Sequence, residues 1–286
     1  MTRKKVTIPE LHGKKERGEP ITMLTAYDYP MAQAADRAGI DTLLVGDSYG
    51  MVVLGYDSTV PVTMTEMIIA CQAVARGAKS AFLIGDMPFM SYQADAAEAV
   101  RNAGRFLKEG NMDAVKLEGG RAVAPITRTI VDAGIAVLGH IGLTPQSISQ
   151  LGGYRTQGVT AKAATKLLDD ALALQDAGCF GIVLEKVPER VAEFISRKLS
   201  IPTIGIGAGG GCDGQVLVTH DLLGLFERFT PKFVKQYVQL HQAIGQALAA
   251  YKADVESRAF PAAEHSFAIA DEEWEEFLKM ERANSE

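Results

Sequence analysis

Along the middle of the chain one hydropathic plan recurs: a short apolar run, a polar residue at its end, a glycine-containing loop, then an alanine-rich amphipathic stretch. The apolar runs are residues 22–26, 42–45, 81–84, 114–117, 136–138, 181–184, 203–206 and 215–218. Runs this short, with little polar alternation, are the pattern of strands buried on both faces of a parallel sheet. Between them, Thr63-Met64-Thr65-Glu66 reads as a capping box, in which hydroxyl and carboxylate each satisfy a free N–H at a helix start. It predicts a helix to about residue 79. A second helix is predicted over 94–109, with Ala97, Val100 and Leu107 on one stripe and Gly110 as the stop. Pro188 suits the first turn of a third, whose Val191, Phe194, Ile195 and Leu199 recur at helical spacing.

Eight strands alternating with helices form either an open doubly wound sheet or a closed barrel. The size of the unit and the lack of a G-x-G-x-x-G turn after the first strand favour a (β/α)₈ barrel. The ends differ in kind. A short helix around residues 8–15 is expected to plug the bottom of the barrel, giving one domain over 1–252. Residues 253–286 form a C-terminal helical extension with Trp274, Phe277 and Leu278 together on one face, which needs the barrel wall or another subunit as partner.

Composition narrows the partners. The 286 residues are 47% hydrophobic and carry a net charge of −6, which disfavours both nucleic acid and an anionic membrane surface. No apolar run reaches the roughly 18 residues of a membrane span, and the polar start of the chain has no signal-peptide core. Cys71, Cys179 and Cys212 lack metal-type spacing and read as small buried side chains in a reducing cytoplasm. Small-molecule substrates remain as the expected partners.

The polar residues are sorted by position. Asp28, Asp47-Ser48, Asp86, Glu118, His140, Glu185 and His220-Asp221 all stand at or just beyond the C-terminal ends of predicted strands, where barrel enzymes keep their active sites. Asp47, Asp86 and Glu118 come from three neighbouring strands. Hard oxygen donors without a histidine or cysteine cluster suit Mg²⁺ or Mn²⁺ rather than Zn²⁺; the competing reading is that they cap helices or pair with Lys116. A 2-oxo acid chelated there has its keto oxygen polarised, so that its C3 proton becomes removable. Glu185 is the candidate base, against a plain salt bridge to Lys116 or Arg190. Period two places Lys116 with Glu118 in the mouth and turns Lys186 toward the helices. Lys116 either balances substrate charge or forms a Schiff base, and His140 is either a proton carrier or a satisfied core histidine. Asp221 is expected as a helix N-cap. The run 205–211 is either a phosphate cradle or a set of tight turns.

Val45-Gly46-Asp47-Ser48, Gly85-Asp86-Met87-Pro88-Phe89, Val115-Lys116-Leu117-Glu118-Gly119 and Gly139-His140-Ile141-Gly142-Leu143-Thr144-Pro145-Gln146 closely resemble the ketopantoate hydroxymethyltransferase family. Leu184-Glu185, Gly205-Ile206-Gly207-Ala208-Gly209, Asp213-Gly214-Gln215 and Val218-Thr219-His220-Asp221 extend the match in order. The resemblance implies a barrel of the phosphoenolpyruvate/pyruvate superfamily, a homodecamer, and transfer of a hydroxymethyl group from 5,10-methylenetetrahydrofolate to 3-methyl-2-oxobutanoate on the way to pantothenate and coenzyme A. It implies one Mg²⁺ per subunit gathered by Asp47, Asp86 and Glu118, the oxo acid held by Ser48 and Lys116 with His140 near, and Glu185 as base. Two rivals are another metal-dependent enolising lyase, such as an isocitrate-lyase-like enzyme, whose Lys-Cys-Gly-His segment this sequence lacks, and a non-catalytic oxo-acid-binding barrel.

Overall fold

A computed structural model describes residues 3–284. Its strands are β1 (Ile21–Thr25), β2 (Thr42–Val45), β3 (Phe82–Asp86), β4 (Ala114–Glu118), β5 (Val137–Gly142), β6 (Gly181–Glu185), β7 (Thr203–Ile206) and β8 (Gly214–Leu217). They pair in parallel in sequence order, and β1 also pairs with β8, so the sheet closes into a barrel. Closure leaves no strand edge; β2 to β7 are buried between the lumen and the surrounding helices, whereas Thr22 of β1 and Gln215 of β8 are exposed on the outer face.

The period of two explains where the core ends and the chemistry begins. Ile21, Met23, Leu44, Phe82, Ile84, Ala114, Leu138, Val183, Ile204 and Val216 form one buried cluster that fills the lumen. Two residues further along the same faces, Ile84 gives way to Asp86, Ala114 to Lys116, Leu138 to His140 and Val183 to Glu185. Outside the barrel, a second cluster including Val74, Phe106, Ile130, Leu174 and Ile195 joins helices to strands. The capping box forms: Glu66 N–H donates to Thr63 Oγ1, Thr63 N–H donates to Glu66, and the helix is Met64–Gly77.

The bottom is closed by the helix Ile8–Arg17, whose Leu11 is buried with the lumen residues. It is held by acids at the starts of strands. Asp41, just before β2, takes Arg3 at 2.8 Å and Lys14 at 2.8 Å, and also accepts from the Thr22 N–H and hydroxyl. Lys5 pairs with Asp113 before β4, and Lys15 with Asp213 before β8. Each of these carboxylates ties the plug to the barrel and satisfies a backbone N–H of a neighbouring strand.

The chain forms two compact units, Met1–Val238 and Gln239–Glu286. The helix Leu240–Glu256 belongs to the second unit. In that unit the predicted terminal helix spans Asp271–Ala283, with Trp274 and Phe277 stacked at 5.4 Å and about half exposed. Cys71 and Cys179 are buried free thiols, and Cys212 is partly buried. Among the described residues no helix is long and apolar enough to cross a membrane.

Burial disfavours the ionised form of Asp41, but Lys14 and Thr22 outweigh it and hold the carboxyl below its usual range. A depressed folded pKa contributes stability that is present above the unfolded value of about 4 and is lost as pH falls through the folded one. Asp41→Asn is expected to cost about 2–3 kcal/mol in urea denaturation near neutral pH, with the deficit shrinking between about pH 5 and pH 3. An unchanged midpoint at neutral pH contradicts this account of the plug.

Candidate active site

The strand ends open into a cavity of about 350 Å³. Asp47, Ser48, Asp86, Lys116, Glu118, His140 and Glu185, the seven residues to which the family resemblance gives roles, all line it. Asp28 does not; it accepts from Met31 N–H and caps the helix Tyr29–Arg37. β3 and β4 are in register with Asp86 beside Lys116, and β4 and β5 with Glu118 beside His140. Asp47 follows β2 and is fixed by its backbone N–H, which donates to Asp86 Oδ2 at 3.2 Å.

Three carboxylates thus share a buried layer with one ammonium. Lys116 Nζ lies 2.8 Å from Asp86 Oδ1 and 3.7 Å from Glu118 Oε1. Burial alone would neutralise this lysine, but Asp86, Glu118 and Asp47 reverse the effect and raise its pKa. One cation does not balance three anions. Asp47 carries the surplus: burial, then Asp86 and Glu118, push its pKa well above the ordinary carboxylate value. Asp86 is raised too, by burial against the pull of Lys116.

Lys116 also donates to His140 Nδ1 at 3.1 Å. Burial and Lys116 disfavour a charged imidazole, but Glu118 and Glu185 outweigh them and raise the His140 pKa to about 9; in the neutral ring, Nδ1 accepts from the ammonium and the proton sits on Nε2. That nitrogen faces Glu185 Oε2 at 3.2 Å, an ion-pair distance without hydrogen-bond alignment. His140 therefore links the lysine to Glu185, and the salt bridge from Glu185 to Lys116 or Arg190 is not what the structure contains.

Neutral residues that the sequence reading assigned no role set the geometry of the acids. Gln146, buried after β5, donates from its side chain to Asp47 Oδ2 and to the Met87 carbonyl, both at 2.9 Å, and from its backbone N–H to Glu118 Oε2 at 3.0 Å. Its own carbonyl oxygen accepts from Tyr92, whose hydroxyl also meets the backbone of Glu118. Tyr27 shares a 2.8 Å hydrogen bond with Ser48. Uncharged side chains scattered over loops leave no period and no charge run, so only their buried hydrogen-bonding demand marks them.

Two expectations are corrected, and of the two readings of the glycine run the structure favours tight turns. Lys186 does not turn to the helices: its φ of 47° redirects the chain at the end of β6, and it lines the cavity and donates to the Tyr154 carbonyl. Asp221 is not a helix N-cap; the helix is Thr219–Leu222, started by Thr219 bonding Thr25, and Asp221 lines the cavity with its pKa raised to about 6 by burial. The glycine run is not a phosphate cradle. A Cβ on Gly207 would meet the Phe233 ring at 2.7 Å, and those on Gly209 and Gly211 would meet Glu189 and Glu193. Two carboxylates packed there repel a phosphate.

The family model described as ketopantoate hydroxymethyltransferase matches residues 5–263. A relative from Moorella thermoacetica, called 3-methyl-2-oxobutanoate hydroxymethyltransferase, is 60% identical over 93% of this chain and 98% of its own. One of the same name from Heliobacterium modesticaldum is 56% identical over 94% and 98%. Among solved structures, a phosphonopyruvate hydrolase in complex with oxalate and Mg²⁺ superposes with a TM-score of 0.61 at 12% identity, covering 98% of this chain and 97% of its own. A phosphoenolpyruvate phosphomutase from Streptomyces platensis gives 0.60 at 16%, covering 98% and 99%. Those two likenesses establish the fold, a closed (β/α)₈ barrel. The sequence matches establish more: this chain belongs to the ketopantoate hydroxymethyltransferase family and is a transferase enzyme of that kind.

Proposed function

We propose that the enzyme transfers a hydroxymethyl group from 5,10-methylenetetrahydrofolate to 3-methyl-2-oxobutanoate through an enolate, with Mg²⁺ held at the carboxylate cluster. The observation that carries this reading is the joining, in one cavity, of a surplus of buried carboxylates with Glu185 across the mouth.

The donor set fits the ion. All candidate ligands are hard oxygens, Asp86 Oδ1 lacks an aligned hydrogen-bond partner, and the negative surplus calls for a cation. Among the described residues no three of His, Cys, Asp and Glu converge as a complete metal cage. Mg²⁺ does not need one, since it usually takes one or two carboxylates and leaves its other positions to water and substrate. Asp47 and Asp86 would hold it, with Glu118 acting through water. When bound, the ion polarises the keto oxygen and stabilises negative charge developing there.

The chain's own residues do the rest. Lys116 and Ser48 hold the oxo acid. Glu185 takes the C3 proton, and the C–H electron pair moves toward the keto oxygen. C3 then bonds the donor's methylene carbon, that carbon's bonds to the folate nitrogens break, and water supplies the hydroxyl. The C3 proton and the second water proton end on the two nitrogens. His140, pinned by Lys116, orients Glu185. A place in pantothenate and coenzyme A formation, a homodecameric assembly and a cytoplasmic setting complete the proposal, on the strength of the family resemblance.

Loss of the C3 proton signal of 3-methyl-2-oxobutanoate in D₂O, followed by NMR, tests the first half. Exchange with Mg²⁺ and none with excess chelator is the expected result; no exchange in either condition overturns the enolate. Glu185→Gln is expected to slow exchange by about 10²–10⁴ while still binding the oxo acid, and exchange at the wild-type rate removes Glu185 as base. Asp86→Ala is expected to weaken Mg²⁺ binding at least tenfold (about 1.4 kcal/mol) in a calorimetric titration, and an unchanged isotherm contradicts the site.

A further inference from the structure

The cavity is too large for the oxo acid alone. At about 350 Å³ it falls in the range of pockets that enclose drug-sized ligands, roughly 300–1,000 Å³, and a five-carbon acid bound among the carboxylates fills only its floor. The part left over has a different chemistry. It is walled by Phe226, Phe229 and Phe233, with Lys232 beside them, and faced by Met51 and Tyr154.

This aromatic wall is built rather than incidental. Phe233 sits on Gly207, a position with φ of 61° where a Cβ would meet its ring at 2.7 Å. Gly207 follows Ile206, the residue paired with Glu185 across β6 and β7, so the wall rises directly beside the proposed base. Phe226 and Phe229 meet edge to face, centroids 6.1 Å apart. Arg228 clips the segment across the mouth, donating to the carbonyls of Gly55 and Tyr56 at 2.9 and 3.2 Å and to Asp57 at 3.3 Å. Phe229 nevertheless remains 51% exposed. An aromatic ring held in place at a cavity mouth and left half uncovered is a surface for a flat, apolar ligand.

We propose that residues 226–233 form the subsite of the one-carbon donor, its planar rings packing on Phe229 and Phe233 and its glutamate carboxylate meeting Lys232. The inference rests on the functional reading above and deepens it. A folate joins the two properties that the wall demands, flat rings and an anionic tail, and placement beside Glu185 brings its methylene carbon to the face from which C3 loses its proton.

The test measures tetrahydrofolate and tetrahydropteroate, which lacks the glutamate, binding to the Mg²⁺-loaded enzyme with the oxo acid present. Phe229→Ala, at an exposed position, is expected to weaken tetrahydrofolate binding about three- to tenfold and to raise the donor KM in step, with the oxo-acid KM shifting less than about twofold; Phe229→Trp is expected to restore it. Lys232→Ala is expected to abolish the preference for tetrahydrofolate over tetrahydropteroate. Unchanged donor binding in Phe229→Ala, or a preference that survives Lys232→Ala, in an enzyme that still exchanges the C3 proton and forms ketopantoate, overturns the subsite and leaves the functional reading standing. A wild type that neither exchanges the proton nor binds tetrahydrofolate overturns both.

Discussion

The ammonium of Lys116 lies 2.8 Å from one carboxylate and 3.7 Å from another, in a layer where Asp47 adds a third negative group and all four side chains are buried. At such distances charge interactions are weakened little by solvent, so both the attraction to Lys116 and the repulsion among the acids are strong. Removing the lysine would leave three buried carboxylates without a counter-ion; keeping it leaves a deficit of positive charge that falls on Asp47. The surrounding hydrogen bonds answer to this constraint. Gln146 bridges Asp47 and Glu118, Tyr92 anchors Gln146 and the backbone of Glu118, and His140 accepts from Lys116. A cluster so heavily tied cannot relax by spreading apart, which leaves proton uptake or cation binding as its means of balance.

The closed barrel separates this strained layer from the elements that stabilise the fold. At the starts of the strands, Asp41, Asp113 and Asp213 meet Arg3, Lys5, Lys14 and Lys15 and hold the plug helix. There each acid has basic partners at hand and satisfies backbone donors. At the ends of the strands acids outnumber cations. The same residue types therefore serve cohesion at one end and chemistry at the other, with the apolar lumen between.

Much of this was legible in the chain, and the failures have physical causes. The spans 42–45 and 203–206 coincide with β2 and β7, because apolar runs bounded by turn residues mark both ends of a buried strand. β5 was read as 136–138 but extends through His140 to Gly142, since a strand that enters a functional layer stops looking apolar before it stops being a strand. Lys186 was turned the wrong way because strict alternation holds only until the backbone leaves the extended region. Asp47, Asp86, Glu118 and Glu185 were visible because charge at the end of an apolar run is conspicuous. Gln146 and Tyr92 were not, being neutral and distant in sequence from the acids they position. The 226–233 segment was silent for another reason: its three phenylalanines lie in irregular chain, where no period reveals which side they face.

The central claim is that the cluster carries more negative charge than its own cations balance, and that a divalent cation takes up the difference. Calorimetric titration with Mg²⁺ in two buffers of different ionisation enthalpy measures binding and the accompanying proton release together. If Asp47 holds a proton in the metal-free cluster, Mg²⁺ binds with proton release that grows as the pH is lowered. Binding without proton release across that range, or no binding at all, would contradict the account.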